Sequence, residues 1–256
     1  MAEVTTHAPG AFCWIELGTS DQVAAKEFYG KLFGWTSRDD AMGPSEVYTT
    51  FQLKGRDVAA AFTLDPKRFA GIPPFWMLYM ASPDADATAR RAGELGGDVK
   101  MGPFDVMELG RMAVLSDPTG AAFSVWQGKT HRGLGIHDEP GAFCWGQLNT
   151  SDMAKAEAFY KALFGWAAKT GSDDTMTYTE WMLGGIPIGG MMALPPEAQA
   201  PPHWLAYFAV ADCDAAAARA VSLGATTCVP PTDIPGTGRF AVFTDPQGAA
   251  FAIYRA

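Results

Sequence analysis

Glu16 stands in the apolar, alternating run Phe12-Cys13-Trp14-Ile15-Glu16-Leu17, where a carboxylate costs free energy unless it is solvated or paired. His203 is the second side chain with chemistry to offer. It follows Pro201-Pro202 and takes the place that Phe75 holds in the matching Pro73-Pro74-Phe75-Trp76. Converging in an apolar setting, a carboxylate and an imidazole can act as a base and its orienter, or as two donors to a metal ion. Otherwise Glu16 reaches a rim and His203 is a satisfied histidine at a strand start. Arg111 and Arg239 each follow a glycine, and either hold an anionic ligand or brace a nearby acid. Trp14 and Trp145 are either stacking walls for a planar ligand or core.

Other chemistries find little support. Cys13, Cys144, Cys213 and Cys228 show no metal-finger or redox spacing, and Cys13 and Cys144 read as small buried hydrophobes. Gly184-Gly185 and Gly189-Gly190 join no strand to a helix through Lys-Ser or Lys-Thr, so they mark a turn or a close backbone approach, not a phosphate loop. No nucleophile-elbow pattern is present. A net charge of -9, with Lys and Arg scattered, argues against nucleic acid. No apolar run is long enough to span a membrane, and Met1 to Pro9 lack a basic segment followed by an apolar one, so the cytoplasm is the expected location. His131 and His137, in the Gly- and His-rich stretch Gln127 to Pro140, are expected to be solvated linker histidines. The expected partner is a small molecule.

The elements that must position these residues come from a duplication. Gly10-Ala11-Phe12-Cys13-Trp14 returns as Gly141-Ala142-Phe143-Cys144-Trp145, and Leu32-Phe33-Gly34-Trp35 as Leu163-Phe164-Gly165-Trp166. Two domains are expected, 8–128 and 141–256, with 129–140 between them. In the opening strand, Cys13, Ile15 and Leu17 should pack under the following helix, with Phe12, Trp14 and Glu16 on the other face. Ser20 or Asp21 should cap that helix and Gly34 should end it. Strands are expected at Val47 to Leu53, Val58 to Leu64, Phe75 to Ala81, around Val99 to Met101, at Arg111 to Ser116 and at Ala121 to Trp126, with a helix over Ala85 to Leu95. The second half repeats the plan, with strands near Met176 to Leu183 and Ile188 to Leu194, a loop over Pro195 to Pro202, a helix from Cys213 to Leu223 and a closing strand at Ala249 to Tyr254. Each half thus reads as two β-α-β-β-β modules.

Paired modules of this kind, with an Ala-Phe-Tyr-x-x-Leu-Phe-Gly-type helix and an Asp-Pro-x-Gly turn before the last strand, resemble the vicinal oxygen chelate superfamily of glyoxalase I, extradiol dioxygenases and the fosfomycin and bleomycin resistance proteins. The resemblance runs from about Gly10 to Tyr254. It implies an α+β fold of tandem glyoxalase-like (VOC) domains, four modules whose curved sheets form ligand-holding cups. Pairing across the halves, as the resemblance suggests, would join Trp14, Glu16, His203 and Tyr254 in one cup and Trp145, Gln147, Phe75, Ser124 and Trp126 in the other. The family's metal positions fall on Trp14 or Trp145, on Phe75 or His203, and on Ser124 or Ala252. Only His203 among these is a ligand, so a divalent metal, with His203 and Glu16 as the surviving donors, is the one cofactor the resemblance raises. The expected function is binding of a small hydrophobic or aromatic molecule without the full metal triad, with Glu16 and His203 as acid-base groups and with Trp14, Tyr254, Trp145, Gln147, Arg239, Phe75, Ser124 and Trp126 as ligand contacts. The alternatives are a metal-dependent lyase, isomerase or dioxygenase of the same superfamily, and a resistance-type protein that sequesters a drug or toxin without turnover. Since each pair of modules completes a cup, a monomer or weak homodimer is expected.

Overall fold

The computed structural model describes residues 6–43, 46–172, 177–195 and 200–256. Met176, expected at a strand start, and the middle of the expected Pro195 to Pro202 loop lie outside them. The first half comprises β1 (Phe12–Thr19), α1 (Gln22–Phe33), β2 (Thr36–Ala41), β3 (Val47–Leu53), β4 (Arg56–Thr63), β5 (Phe75–Ala81), α2 (Ala85–Glu94), β6 (Asp98–Val106), β7 (Gly110–Ser116) and β8 (Ala122–Gly128). The second repeats it as β9 (Phe143–Thr150), α3 (Met153–Phe164), β10 (Ala167–Ser172), β11 (Thr177–Leu183), β12 (Ile186–Ala193), β13 (His203–Ala209), α4 (Cys213–Ser222), β14 (Thr226–Ile234), β15 (Gly238–Thr244) and β16 (Ala250–Arg255). An aspartate caps each helix. For α1 it is Asp21, whose carboxylate accepts from the amides of Val23 and Ala24, satisfying donors that have no partner within the helix.

Each half forms one curved eight-stranded sheet, ordered β2-β3-β4-β1-β5-β8-β7-β6 and β10-β11-β12-β9-β13-β16-β15-β14. The join within a half is the antiparallel pairing of the two module-opening strands, β1 with β5 and β9 with β13. The modules therefore pair within halves, and the expected pairing across halves is overturned. The β1–β5 ladder links strands of one half by main-chain hydrogen bonds, leaving the halves to meet through side chains.

That meeting is part of the main hydrophobic core, which runs through both halves. The halves pack through aromatic side chains: from α1, Phe33 lies on Phe208 and Tyr29 on Phe251 of the other half, while Tyr29 also meets Trp76 of its own sheet. Polar bonds cross the seam in matched pairs. Tyr29 donates to Asp245 at 2.8 Å and Tyr160 to Asp117 at 3.1 Å, while the Trp35 and Trp166 indoles donate to the Gly141 and Gly10 carbonyls. Burial raises the carboxyl of Asp245 above its usual range, against the opposing pull of amide donors and Tyr29.

One detail of β1 differs from simple alternation. A register shift between Phe12 and Trp14 places Phe12 in the seam, against Phe143, Trp166 and Trp204, rather than beside Trp14. Gly146 and Gly189 make room for it; a Cβ on Gly146 would fall 2.6 Å from Cζ of the Phe12 ring. From Trp14 onward the expected faces hold, and the cups open on the sides of the sheets away from the seam.

Candidate functional site

In the N-terminal cup, β1 presents Trp14 and Glu16, and the paired strands bring phenols to them. The hydroxyl of Tyr79, on β5, donates to Glu16 Oε2 at 2.6 Å. Tyr48, on β3, also reaches the carboxylate and accepts a 3.3 Å hydrogen bond from the Trp14 indole. Glu16 is enclosed by protein yet retains some accessible surface, whereas Trp14 and Tyr79 are buried. Burial pushes its carboxyl above the usual range; the Tyr79 and Tyr48 phenols act in the opposite sense, and no cation among the described residues contributes. Ser124 and Trp126, from β8, complete this wall. Ser124 Oγ is wholly buried without a hydrogen-bond partner of normal geometry, although it lies close enough to Tyr79 to influence that phenol.

The C-terminal cup repeats the circuit with an amide in place of the acid. Trp145 donates to Tyr178 at 2.9 Å, and both Tyr178 and Tyr207 donate to Gln147 Oε1, at 3.2 and 3.1 Å. Burial raises the Tyr178 phenol to about 12. Gln147 Nε2 donates onward to Asn149 Oδ1 at 3.0 Å, and Asn149 Nδ2 lies 3.1 Å from His203 Nε2. His203 Nδ1 is 2.8 Å from the Pro201 carbonyl, so it must carry the proton and Nε2 accepts from Asn149. In the N-terminal cup Gly18 and Phe75 stand where Asn149 and His203 stand here, as the pairings Gly18 with Phe75 and Asn149 with His203 show. The polar relay is confined to the second cup.

The structure therefore separates residues that the cross-half pairing would have joined. Glu16 shares its cup with Trp14, Phe75, Ser124 and Trp126, and His203 shares the other with Trp145, Gln147 and Tyr254. Tyr254 donates to the Thr237 carbonyl and pairs with Phe240 across the β15–β16 ladder. Arg239 is on the opposite face of β15 from Phe240, held by Asp214 at the start of α4 and by Asp233. Its guanidinium braces the scaffold, as Arg111 does with Asp86.

His131 also differs from expectation. Instead of being solvated, its ring meets Trp14 edge-on with centroids 4.5 Å apart, its carbonyl accepts from the Trp126 indole, and Nε2 lies 3.9 Å from Asp57. Burial lowers its pKa, Asp57 opposes that and Arg38 adds to it. Leu134 and Gly135 tie this segment to the Cys13 and Asp57 carbonyls, so the stretch between the halves forms one wall of the N-terminal cup. His137 fits the expected picture better: it is exposed and paired with Asp138.

Sequence reasoning passed over Tyr48, Tyr79, Tyr178, Tyr207 and Asn149. Their signal was available in the repeat, since Tyr48 aligns with Tyr178 and Tyr79 with Tyr207 beside the Trp-x-Glu and Trp-x-Gln pairs.

Neither donor set suits a divalent ion. The N-terminal cup offers the Glu16 carboxylate among phenols and indoles, with the His131 imidazole packed on Trp14 and turned to Asp57 instead of completing a ligand set with Glu16, and the C-terminal cup offers one imidazole whose nitrogens are both engaged. Among the described residues no group of three or more His, Cys, Asp or Glu is placed to hold a metal.

Comparison with known proteins agrees with this architecture. The model of the Glyoxalase/Bleomycin resistance protein/Dioxygenase superfamily matches residues 12–125 and again 133–253. "Putative glyoxylase CFP32" of Mycobacterium tuberculosis is 39% identical over 257 residues, covering 100% of this chain and 98% of that protein. The anthracycline biosynthesis protein DauV of Streptomyces sp. is 39% identical over 261 residues, covering 98% of this chain and 94% of its own length. Among solved structures, the Mn(II)-bound glyoxalase of Novosphingobium aromaticivorans superposes with a TM-score of 0.69 at 15% identity, covering 96% of this chain and 82% of that one. The 2,3-dioxygenase LapB of Pseudomonas sp. KL28 gives 0.66 at 14%, covering 98% and 94%. The duplicated β-α-β-β-β sheets and the family match over both halves establish that the chain belongs to the glyoxalase/bleomycin resistance protein/dioxygenase superfamily.

Proposed function

We propose that this protein binds a small, largely apolar or aromatic molecule in the N-terminal cup, and that Glu16 is the group there that contacts it and can exchange a proton with it. The observation that carries this reading is a partly accessible carboxylate in a cup of aromatic rings, held from one side by Tyr79. Such a group has its proton affinity raised by burial and remains within reach of a guest. The relative named for anthracycline biosynthesis supports the choice of guest, because anthracyclines are flat polycyclic aromatics, a shape that indole and phenol walls suit. Sequestration and acid-base turnover both begin with this binding step, and neither requires the metal triad.

A second reading puts the guest in the C-terminal cup. It is favoured by the greater exposure of Trp145, half-buried where its counterpart Trp14 is buried. One titration separates the two. With 9-(hydroxymethyl)anthracene as probe and intrinsic tryptophan fluorescence as readout, Trp14→Ala should weaken binding about tenfold, the worth of one aromatic stack. His203→Phe, which copies the first half, should leave affinity unchanged within roughly twofold, because it lies in the other cup. The reverse pattern would move the guest to the C-terminal cup, and no binding to the unaltered protein would sink both readings.

A further inference from the structure

We propose that the N-terminal cup selects a guest bearing a protonated amine on a flat apolar body, with the ammonium group paired to the Glu16 carboxylate. This rests on the reading that the N-terminal cup is the ligand site, and it adds the charge of the ligand.

The internal repeat supplies the control. Both cups build the same circuit: an indole donates to one phenol, and that phenol and a second one reach the strand residue. In the C-terminal cup that residue is Gln147, so a neutral amide satisfies the scaffold. The acid at Glu16 is therefore not demanded by the fold, although enclosing it carries a desolvation cost that an amide avoids. What a carboxylate adds is the capacity to hold a cation. The surroundings are of the same kind: Trp14, Tyr48 and Tyr79 contact Glu16 or each other, and ring faces attract organic cations.

The two cups also differ in what lies beyond the circuit. Gln147 is engaged on its far side by Asn149 and Met192. The matching residues in the first half are Gly18 and Phe62, the latter opposite Gly18 on β4, and neither side chain can accept or donate there. Among the described residues no lysine, arginine or histidine acts on Glu16. A half-buried carboxylate thus stands among aromatic side chains with no cation acting on it among the described residues, and a charge-assisted hydrogen bond from a guest would compensate its burial.

The test compares 9-(aminomethyl)anthracene with its neutral isostere 9-(hydroxymethyl)anthracene at pH 7, on the full-length protein and on Glu16→Gln. The amine should bind at least about tenfold more tightly than the alcohol to the unaltered protein, the worth of a hydrogen bond to a charged group. Glu16→Gln, which reproduces the C-terminal circuit, should erase that preference while still binding the alcohol. Equal binding of the two probes, or a preference that survives Glu16→Gln, would overturn the amine assignment and leave the cup as the ligand site. Failure of both probes to bind the unaltered protein would overturn the cup reading itself.

Discussion

Trp166→Ala is expected to destabilise the whole chain by about 3–5 kcal/mol, as large aromatic-to-alanine changes in a core do, and to lower the melting temperature by about 10 °C. Trp166 is almost fully buried, stacks on Tyr160 at 5.3 Å, touches Phe12, Trp181 and Trp204, and donates to the Gly10 carbonyl of the other half. Removing the indole leaves a cavity and an unpaired carbonyl in the seam. Because each half contributes rings and polar partners to the other, circular dichroism and fluorescence should report a single transition, moved as a unit. A loss below about 1 kcal/mol, or two transitions of which only one moves, would mean that the seam contributes little to either half.

The second expected result concerns Glu16 and pH. Its carboxyl is raised in the folded protein, so the folded state holds that proton more tightly than the unfolded chain does. The contribution to stability is fully present below the unfolded carboxyl's pKa of about 4.3 and is lost as pH rises through the higher folded value. Glu16→Gln removes this dependence. The variant's stability relative to the unaltered protein should therefore improve from pH 4 to pH 8, by about 1.4 kcal/mol for each unit by which burial raises the carboxyl. Urea unfolding at several pH values measures the difference. A difference that stays constant across that range would show that Glu16 is no more costly to ionise in the fold than in water.

Much of the fold was legible because it is written twice. The repeated openings, aspartate caps and glycine stops located four modules, and β3 and β5 fall where alternation puts them. β2 and β10 were not found, since Thr36-Ser37-Arg38-Asp39-Asp40-Ala41 is exposed along its whole length and carries no apolar alternation to betray an edge strand. The partnership of modules was not legible either, because register between distant strands leaves no local signal. Pairing across the halves would have joined Glu16 to His203. The circuit around Glu16 and Gln147 depends on Tyr48, Tyr79 and their counterparts, whose phenols look like ordinary strand aromatics until the pairing of β1 with β4 and β5 is known. The place of His131 is not legible for a similar reason, as loop composition says nothing of the Trp14 face against which the loop packs.

The N-terminal cup is proposed to bind its guest without the superfamily's metal. Elemental analysis after dialysis against manganese, iron(II), zinc and nickel salts and then metal-free buffer tests it most directly. The predicted result is no stoichiometric ion, and an affinity for the anthracene alcohol that is the same before and after metal exposure. About one tightly held ion per chain, as a resident metal site would give, lost on Glu16→Ala or His203→Ala and needed for probe binding, would contradict it.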